Sequence, residues 1–547
     1  MGLRDDREGA VHLPRRARPD DPERADRGTP AGRLGGGDDP GHAGERGWCD
    51  RGVRDADDGR HVREERSVHA HQRRRPVPAG EGADRGRPGE GLRRGAARRR
   101  RRRKAASEMG DLLELAVRAG EAAMAAGAEF AQVSASRGRS FSVSLEKGAI
   151  ETSQQRESSG VSVRAYHRGG VGSTSVNVLD WGRIEAAAHA AVALAKQSDP
   201  DPDFVALPGP QPLPEVEGLF DERIAGLAAS QVIGWALAAT DEALAAAPEA
   251  IVSGGASFGV GDSAMASSTG VQVSTPYSGL SCYIRAVVRR GDSVGTWFEH
   301  AYGRVMEDFR PEGIGKVAAE GALEYLDARD IPSGDYPLVL GPQAADSVYY
   351  AIAAQANAED VQRRRSYLIG KRGQRIAPET LTITDDPLIP RGRSSSRCDS
   401  DGVPRRPLTI VEDGVLLTYL HNAYTANKAG EPNTGHAAGD GIGPTNVNVR
   451  LGSRPAKELI AEIDDGIYLA SGGPSPDGTT GDFSSTVDFG FKIERGEIAY
   501  PIRNAALGGS FLEFLQGLDA ISSDYREEPG ARMPTMRFTS VRLAGSG

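Results

Sequence analysis

The sequence predicts an α+β protein of two domains behind a disordered N-terminal tail. Three observations carry this. The chain has 547 residues, more than one hydrophobic core usually organises. Its composition changes abruptly near residue 108. After that point, helical periodicities alternate with paired strand patterns and turns rather than with repeated βαβ units, so the sheets should be largely antiparallel. The expected divisions are a tail over 1–108, an N-terminal helix-and-sheet domain of α/β type over 109–330, and a C-terminal domain rich in antiparallel strands over 333–547.

The tail comes first. Residues 1–108 hold 27 Arg and one Lys against 20 Asp and Glu, a balance of +8 that leaves −17 for the rest of a chain whose net charge is −9. They contain no Ile, Phe, Tyr or Asn and four Leu. Such a segment buries too little apolar surface to offset its ordering entropy. The run "RRGAARRRRRRKAA" (Arg93 to Ala106) could be read as a polyanion-binding patch. The lopsided use of Arg over Lys instead suggests translated GC-rich DNA from outside the true frame, with the native start at Met109. Asp111 and Glu114 then form a capping-box-like pair. Leu112, Leu115, Ala116, Ala119 and Ala123 keep helical spacing, and Gly127 ends the element.

Two strand patterns, "AEFAQVSASRG" and "RSFSVSLEKGAIETS", follow with a turn at Lys147-Gly148, and a further hairpin turns at Gly169-Gly170. The spacing predicts helices from about Trp181 to Lys196 and Glu222 to Ala246, separated by a spacer with six prolines between Pro200 and Pro214. Strands through "VQVSTPYSGLSCYIRAVVRR" and a helix near Gly313 to Ala328 complete the first half. The second half opens with a strand, Tyr336 to Leu340. Gly341-Pro342 then turns it into a helix whose face is Val348, Ile352 and Ala356. Hairpin patterns turn at Asp413-Gly414 and Arg495-Gly496.

No apolar run reaches membrane-spanning length, and no signal-peptide core stands at the N-terminus. Cys49, Cys282 and Cys398 make no CxxC and no disulfide framework, which suits a reducing compartment. The expectation is a soluble cytoplasmic protein with no membrane partner. Its acidic body argues against nucleic acid as a ligand.

Motifs for chemistry are sparse. Gly255-Ala-Ser257-Phe-Gly259 fits G-x-S-x-G, but "VGDSAMASSTG" after it is not helical, and a nucleophile elbow needs a helix there. Gly439 to Pro444, "GDGIGP", lacks the Lys and hydroxyl of a phosphate loop and reads as a flexible loop. The body's histidines are His167, His189, His300, His421 and His436. None forms HxxxH, HExxH or HxH. Folding could gather His421, His436 and Cys398, yet nothing in their spacing requires it, and they read as surface or hydrogen-bonded side chains.

The second half carries longer motifs. "SGDYPLVLGPQAADSVYY", the run from "LIGKRGQRIAPETL" to "EPNTGHA", and "SGGPSPDGTTGDFSSTVDFGFKIERGEIAYPIRNAALGGSF" resemble the TldD/PmbA family. The likeness runs from near Met109 to the C-terminus. The resemblance implies a prokaryotic metallopeptidase system of two subunit kinds that assemble as a heterodimer. It is linked to cleavage of unstructured peptides and to maturation of peptide products. In the TldD-type subunit, zinc is held by an H-E-x-x-x-H helix and a cysteine near the C-terminus. The PmbA/TldE-type subunit lacks these.

Carried onto this chain, the family's strand, Gly-Pro and helix align with Leu340-Gly341-Pro342. The zinc-motif positions then fall on Tyr350, Ala351 and Gln355. Tyr is a poor zinc ligand at neutral pH, Ala351 cannot act as a base, and Gln355 is a weak neutral donor. No Cys follows Cys398. The resemblance therefore implies a non-zinc subunit with no metal or cofactor of its own, not catalytic alone. Its implied partner is a TldD-type subunit that carries the zinc, and its implied substrate an unstructured peptide. Gly435 to Gly443 and Gly472 to Gly481 are candidate peptide-facing or interface loops, or plain surface turns. Two alternatives stay open: a self-sufficient peptidase with a different metal site, and a polyanion binder working through the Arg-rich tail.

Overall fold

The computed structural model describes residues 112–547. The tail over 1–108, the Met109 start and the Asp111 cap lie outside the described residues.

Helix α1 (112–125) ends in a turn at Gly127, whose φ of +102° suits a residue without a Cβ. It leads into β1 (Phe130–Glu146) and β2 (Ala149–His167), which turn at Lys147-Gly148, and then β3 (Gly170–Val176). Helices α2 (Trp181–Gln197), α3 (Glu222–Ala225) and α4 (Ala229–Ala246) follow. Strands β4 (Ile251–Ser267), β5 (Gln272–Arg290) and β6 (Ser293–Gly303) come next, then α5 (Ile314–Glu324). The six strands form one antiparallel sheet in the order β3-β2-β1-β4-β5-β6.

Alternation fixes which face is covered. On β1 the buried residues Ala131, Val133, Ala135, Phe141, Val143 and Leu145 share one face, while Ser134, Ser136 and Ser142 are exposed. Helices α1 and α2 bury Leu112, Ala116, Ile184 and Ala188 over one end of that face. Helices α4 and α5 bury Val232, Ala236, Ala318 and Ala322 over the other.

Three details depart from the sequence reading. The helix expected from Glu222 is two pieces, because it breaks at Gly226, the C-cap of α3. The two strands expected before Lys147 are one strand, β1. Ser257 lies inside β4, its hydroxyl 2.8 Å from that of Ser281 on β5, so the G-x-S-x-G match makes no elbow.

The second half builds a mixed sheet. Short β7 (Arg329–Asp330) and β8 (Gly334–Leu340) lead into α6 (Pro342–Gln355) and α7 (Ala358–Gln362). Strands β9 (Ile383–Asp385), β10 (Leu408–Glu412) and β11 (Val415–Leu416) precede α8 (Ala423–Ala429). After it come β12 (Ala437–Ala438), β13 (Gly441–Ile442), β14 (Val447–Val449), α9 (Ala456–Ala461) and β15 (Asp465–Leu469). Strands β16 (Asp482–Thr486), β17 (Gly490–Glu494), β18 (Glu497–Arg503) and β19 (Ala506–Ser510) follow, then α10 (Phe511–Gln516), β20 (Leu518–Glu528) and β21 (Ala531–Ala544). The large sheet runs β16-β19-β21-β8-β15-β17-β18-β7, with β20 beside β21. Its pairs are antiparallel except β15 with β8 and β18 with β7. Strands β9, β10, β11 and β14 make a separate antiparallel sheet.

Helix α6 sits at the centre of this half. Gly341 caps it in an extended conformation and Pro342 takes the first turn, where a missing N–H costs nothing. Ala345, Val348, Tyr349, Ile352 and Ala353 are fully buried at helical spacing. They join Leu338, Leu340, Ile383, Val449, Phe511 and Phe538 in one core.

Candidate functional site: the cleft beside the Pro342 helix

A cleft of about 390 Å³ opens where α6 meets the end of β6. Gln343, Asp346 and Tyr350 line one wall, a stripe at i, i+3 and i+7 that follows from helical geometry. Phe298, His300 and Tyr302 line the other, alternate residues of β6 that share a face. The loop carrying Arg393 and Ser394, residues 445–447 and Glu528 to Ala531 complete it.

The floor is a charge network joining the two halves of the chain. Arg526 of β20 donates to both oxygens of Glu299 at 2.7 and 3.0 Å, and to Glu528 at 2.9 Å. His300 Nε2 lies 3.3 Å from Glu528. Burial works to raise the pKa of Glu528, but His300 and Arg526 outweigh it and hold the carboxyl below its ordinary range. The upper wall is fixed by Arg304, which donates to the carbonyls of Leu219, Gly392 and Ser395. The Arg393 guanidinium lies 4.3 Å from the ring centre of Tyr302. The cleft is thus preformed.

The three motif positions part company. Tyr350 faces the cleft. Ala351 packs at the edge of the core, and its carbonyl accepts the Tyr367 hydroxyl at 3.2 Å. Gln355 is the last residue of α6, and its amide lies against Gly478 of the 472–481 loop, where a Cβ would meet Nε2 at 2.8 Å.

Of the other sequence candidates, His300 lines the cleft, whereas His421, His436 and Cys398 do not. His436 is fully buried, with Nε2 2.9 Å from Asp385 and Nδ1 2.9 Å from the Thr434 hydroxyl. His421 Nδ1 lies 3.2 Å from the Thr425 hydroxyl, and burial lowers its pKa. Burial pushes the Cys398 thiol up to about 11, far from reactive. Residues 437–442 form the small β12-β13 hairpin rather than a free loop, and Asp440 at its tip pairs with Arg164 of β2.

Asp399 lies at this junction. Its carboxylate accepts from the backbones of Asp401, Val403 and Ala437. Burial first, then the neighbouring charge of Asp401, pushes it up to about 6 from an ordinary 3.8. Between about pH 4 and 6 the native state therefore binds more protons than the unfolded one, so stability should fall as pH rises through that window. The loss at full ionisation is on the order of 3 kcal/mol. Chemical denaturation of the native chain and of Asp399→Asn across pH 4–7 checks it. The decline should vanish in the Asn variant, whatever its baseline; an unchanged slope would remove Asp399 from the account.

Profiles of PmbA/TldA metallopeptidases match three stretches: domain 1 over residues 131–195, the central domain over 222–326 and the C-terminal domain over 333–545. This chain belongs to the PmbA/TldD family. The metalloprotease PmbA of Escherichia coli O157:H7 is 25% identical over 429 residues, 76% of this chain and 92% of that protein. Among solved structures, a protein of Bacteroides thetaiotaomicron described as a proposed modulator of DNA gyrase aligns with a TM-score of 0.73 at 26% identity, covering 79% of this chain and 98% of that one. TldE from Thermococcus kodakarensis shares the fold, with a TM-score of 0.72 at 23% identity over 78% of this chain and 99% of that one.

The family's metallopeptidase name raises the question of a metal on α6. The residues do not fit one. Its cleft face offers an amide, a carboxylate and a phenol from Gln343, Asp346 and Tyr350, and Gln355 points elsewhere. Among the described residues no three His, Cys, Asp or Glu side chains converge as a metal site. The His300, Glu299, Arg526 and Glu528 network escaped sequence reasoning, because Arg526 lies 227 residues beyond Glu299 and no local pattern links them.

Proposed function

We propose that this chain is the PmbA/TldE-like, non-zinc subunit of a cytoplasmic peptidase of the PmbA/TldD family. It acts with a zinc-bearing TldD-type subunit on unstructured peptides. The observation that carries this reading is the donor set of α6: Tyr350, Ala351 and Gln355 stand where the zinc motif of the partner type would stand, on a helix whose packing is otherwise intact. The near full-length match to a PmbA relative supports it. That no helix among the described residues is long and apolar enough to cross a membrane is compatible with it.

In this role the chain completes the peptide-handling chamber and supplies no metal chemistry. The test is tagged purification from the native host with metal analysis of the product. A zinc-bearing homologue should accompany the chain at equal stoichiometry.

A further inference from the structure

We infer that the outer edge of β2 over residues 152–160 is a self-association surface, where β2 of a second copy of this chain adds antiparallel. Strand β2 runs from Ala149 to His167, but β3 pairs with it only from Val161 onward. Among the described residues no strand lies beyond 152–160 on that side. Thr152 to Ser158 are exposed on both faces of the strand. The stretch "TSQQRESSG" has none of the Lys or Pro that commonly blunts a sheet edge. At ordinary strand rise it measures about 30 Å. The register slip opposite Ser144 and Leu145 bounds it at one end, and β3 at the other.

The neighbouring strand fixes which backbone groups point outward. The Ala131 N–H donates to the Ser268 hydroxyl at 3.0 Å, and its carbonyl accepts from the Ser268 N–H at 2.8 Å, so both point away from β2. Backbone groups alternate along an antiparallel ladder. The even-numbered residues of β1 therefore bond to β2. Through the register of Ser142 with Gln154 and Ser140 with Arg156, so do the even-numbered residues of β2. Ser153, Gln155 and Glu157 are left turning N–H and C=O outward. An identical strand satisfies them best. Its polar side chains stay in water on both faces, as those of β2 already do, whereas an apolar peptide would expose its own side chains here. Charge then sets the register. With Gln155 on a two-fold axis, Gln155 meets itself, Ser153 meets Glu157, Gln154 meets Arg156 and Thr152 meets Ser158. Every pair matches a donor with an acceptor. Moving the axis to Arg156 or to Glu157 opposes like charges, and moving it to Gln154 sets Glu157 against Glu151. The contact does not depend on whether a zinc-bearing subunit also binds.

The experiment is analytical sedimentation of the full chain between about 1 and 100 µM. The native chain should dimerise with a Kd of about 10 µM, as befits a small contact. Gln155→Pro removes an outward N–H and no bond to β1. It should leave the monomer folded, by circular dichroism, and weaken the dimer at least about tenfold. Gln155→Lys and Gln155→Glu change only an exposed side chain, and each should weaken the dimer as well. Mixing these two should restore it, which a contact centred on residue 155 requires. A native chain monomeric to about 100 µM, a dimer indifferent to the substitutions, or a mixture no tighter than either variant alone would overturn the inference. So would a chain that is monomeric alone and captures a zinc-bearing homologue through Gln155, since the edge would then belong to that subunit.

Discussion

His436→Leu should lower the stability of the chain by up to about 3 kcal/mol, the cost typical of leaving a buried acceptor short of one hydrogen-bond partner. Asp385 and His436 are both fully inaccessible, with Nε2 and Oδ2 2.9 Å apart. Asp385 also accepts from the backbone N–H and the hydroxyl of Thr445 at 2.6 and 2.7 Å. Leu fills the volume of the imidazole but leaves the carboxylate with only the Thr445 donors, in a place water does not reach. The damage should spread to the cleft, because Thr445 and Asn446 line it. Urea denaturation measures the loss. Asp385→Asn on top of His436→Leu should recover part of it, since the orphaned charge is then gone. A loss below 1 kcal/mol would mean that the pair adds little beyond shape.

Gly315→Ala should cost about 3 kcal/mol, at the upper end of ordinary overpacking. A Cβ built on Gly315 would lie 1.7 Å from the carbonyl oxygen of Ala239 and 2.7 Å from its carbonyl carbon. Both atoms are backbone, so no side chain can swing aside; α4 and α5 must separate. That separation would loosen the small-residue layer of Ala236, Ala239, Ala243, Ala318, Ala319 and Ala322. The same substitution at Gly234, on the outer side of α4, meets nothing within 4 Å. Gly234→Ala should instead be neutral or stabilising, by up to about 1 kcal/mol, from the better helix propensity of Ala. Thermal unfolding of the two variants separates packing from propensity, and equal effects would contradict the close approach.

Much of the fold was legible because its signals are local. Lys147-Gly148, Gly169-Gly170, Asp413-Gly414 and Arg495-Gly496 all turn strands as expected, and each includes positive φ values. Gly341-Pro342 announced α6 for the same reason. Strand β4 was harder to see. Gly254, Gly255, Gly259 and Gly261 interrupt its apolar alternation. At Gly261 the cause is tertiary, since a Cβ there would meet the Tyr277 hydroxyl at 2.4 Å. The parallel pairing of β15 with β8 was equally hidden, because the chain leaves at Leu340 and returns only at Asp465.

The site divides the same way. Tyr350, Ala351 and Gln355 could be placed from the order of strand, Gly-Pro and helix, which is a local register. The opposite wall could not. His300 reads alone as one more polar residue in a strand, and only the fold sets Glu528 and Arg526 against it. The buried Asp385 and His436 pair was invisible for a related reason, since the partners lie 51 residues apart on a short strand and a loop.

The central claim is that this chain lends a metal-free subunit to a zinc peptidase. Zinc quantified in the chain purified alone, and in the complex captured from the native host, tests it most directly. The account predicts no stoichiometric zinc in the isolated chain, one zinc per pair in the complex, and peptide cleavage that needs the complex and is lost on chelation. Stoichiometric zinc in the isolated chain, with peptide cleavage that a chelator abolishes, would contradict it.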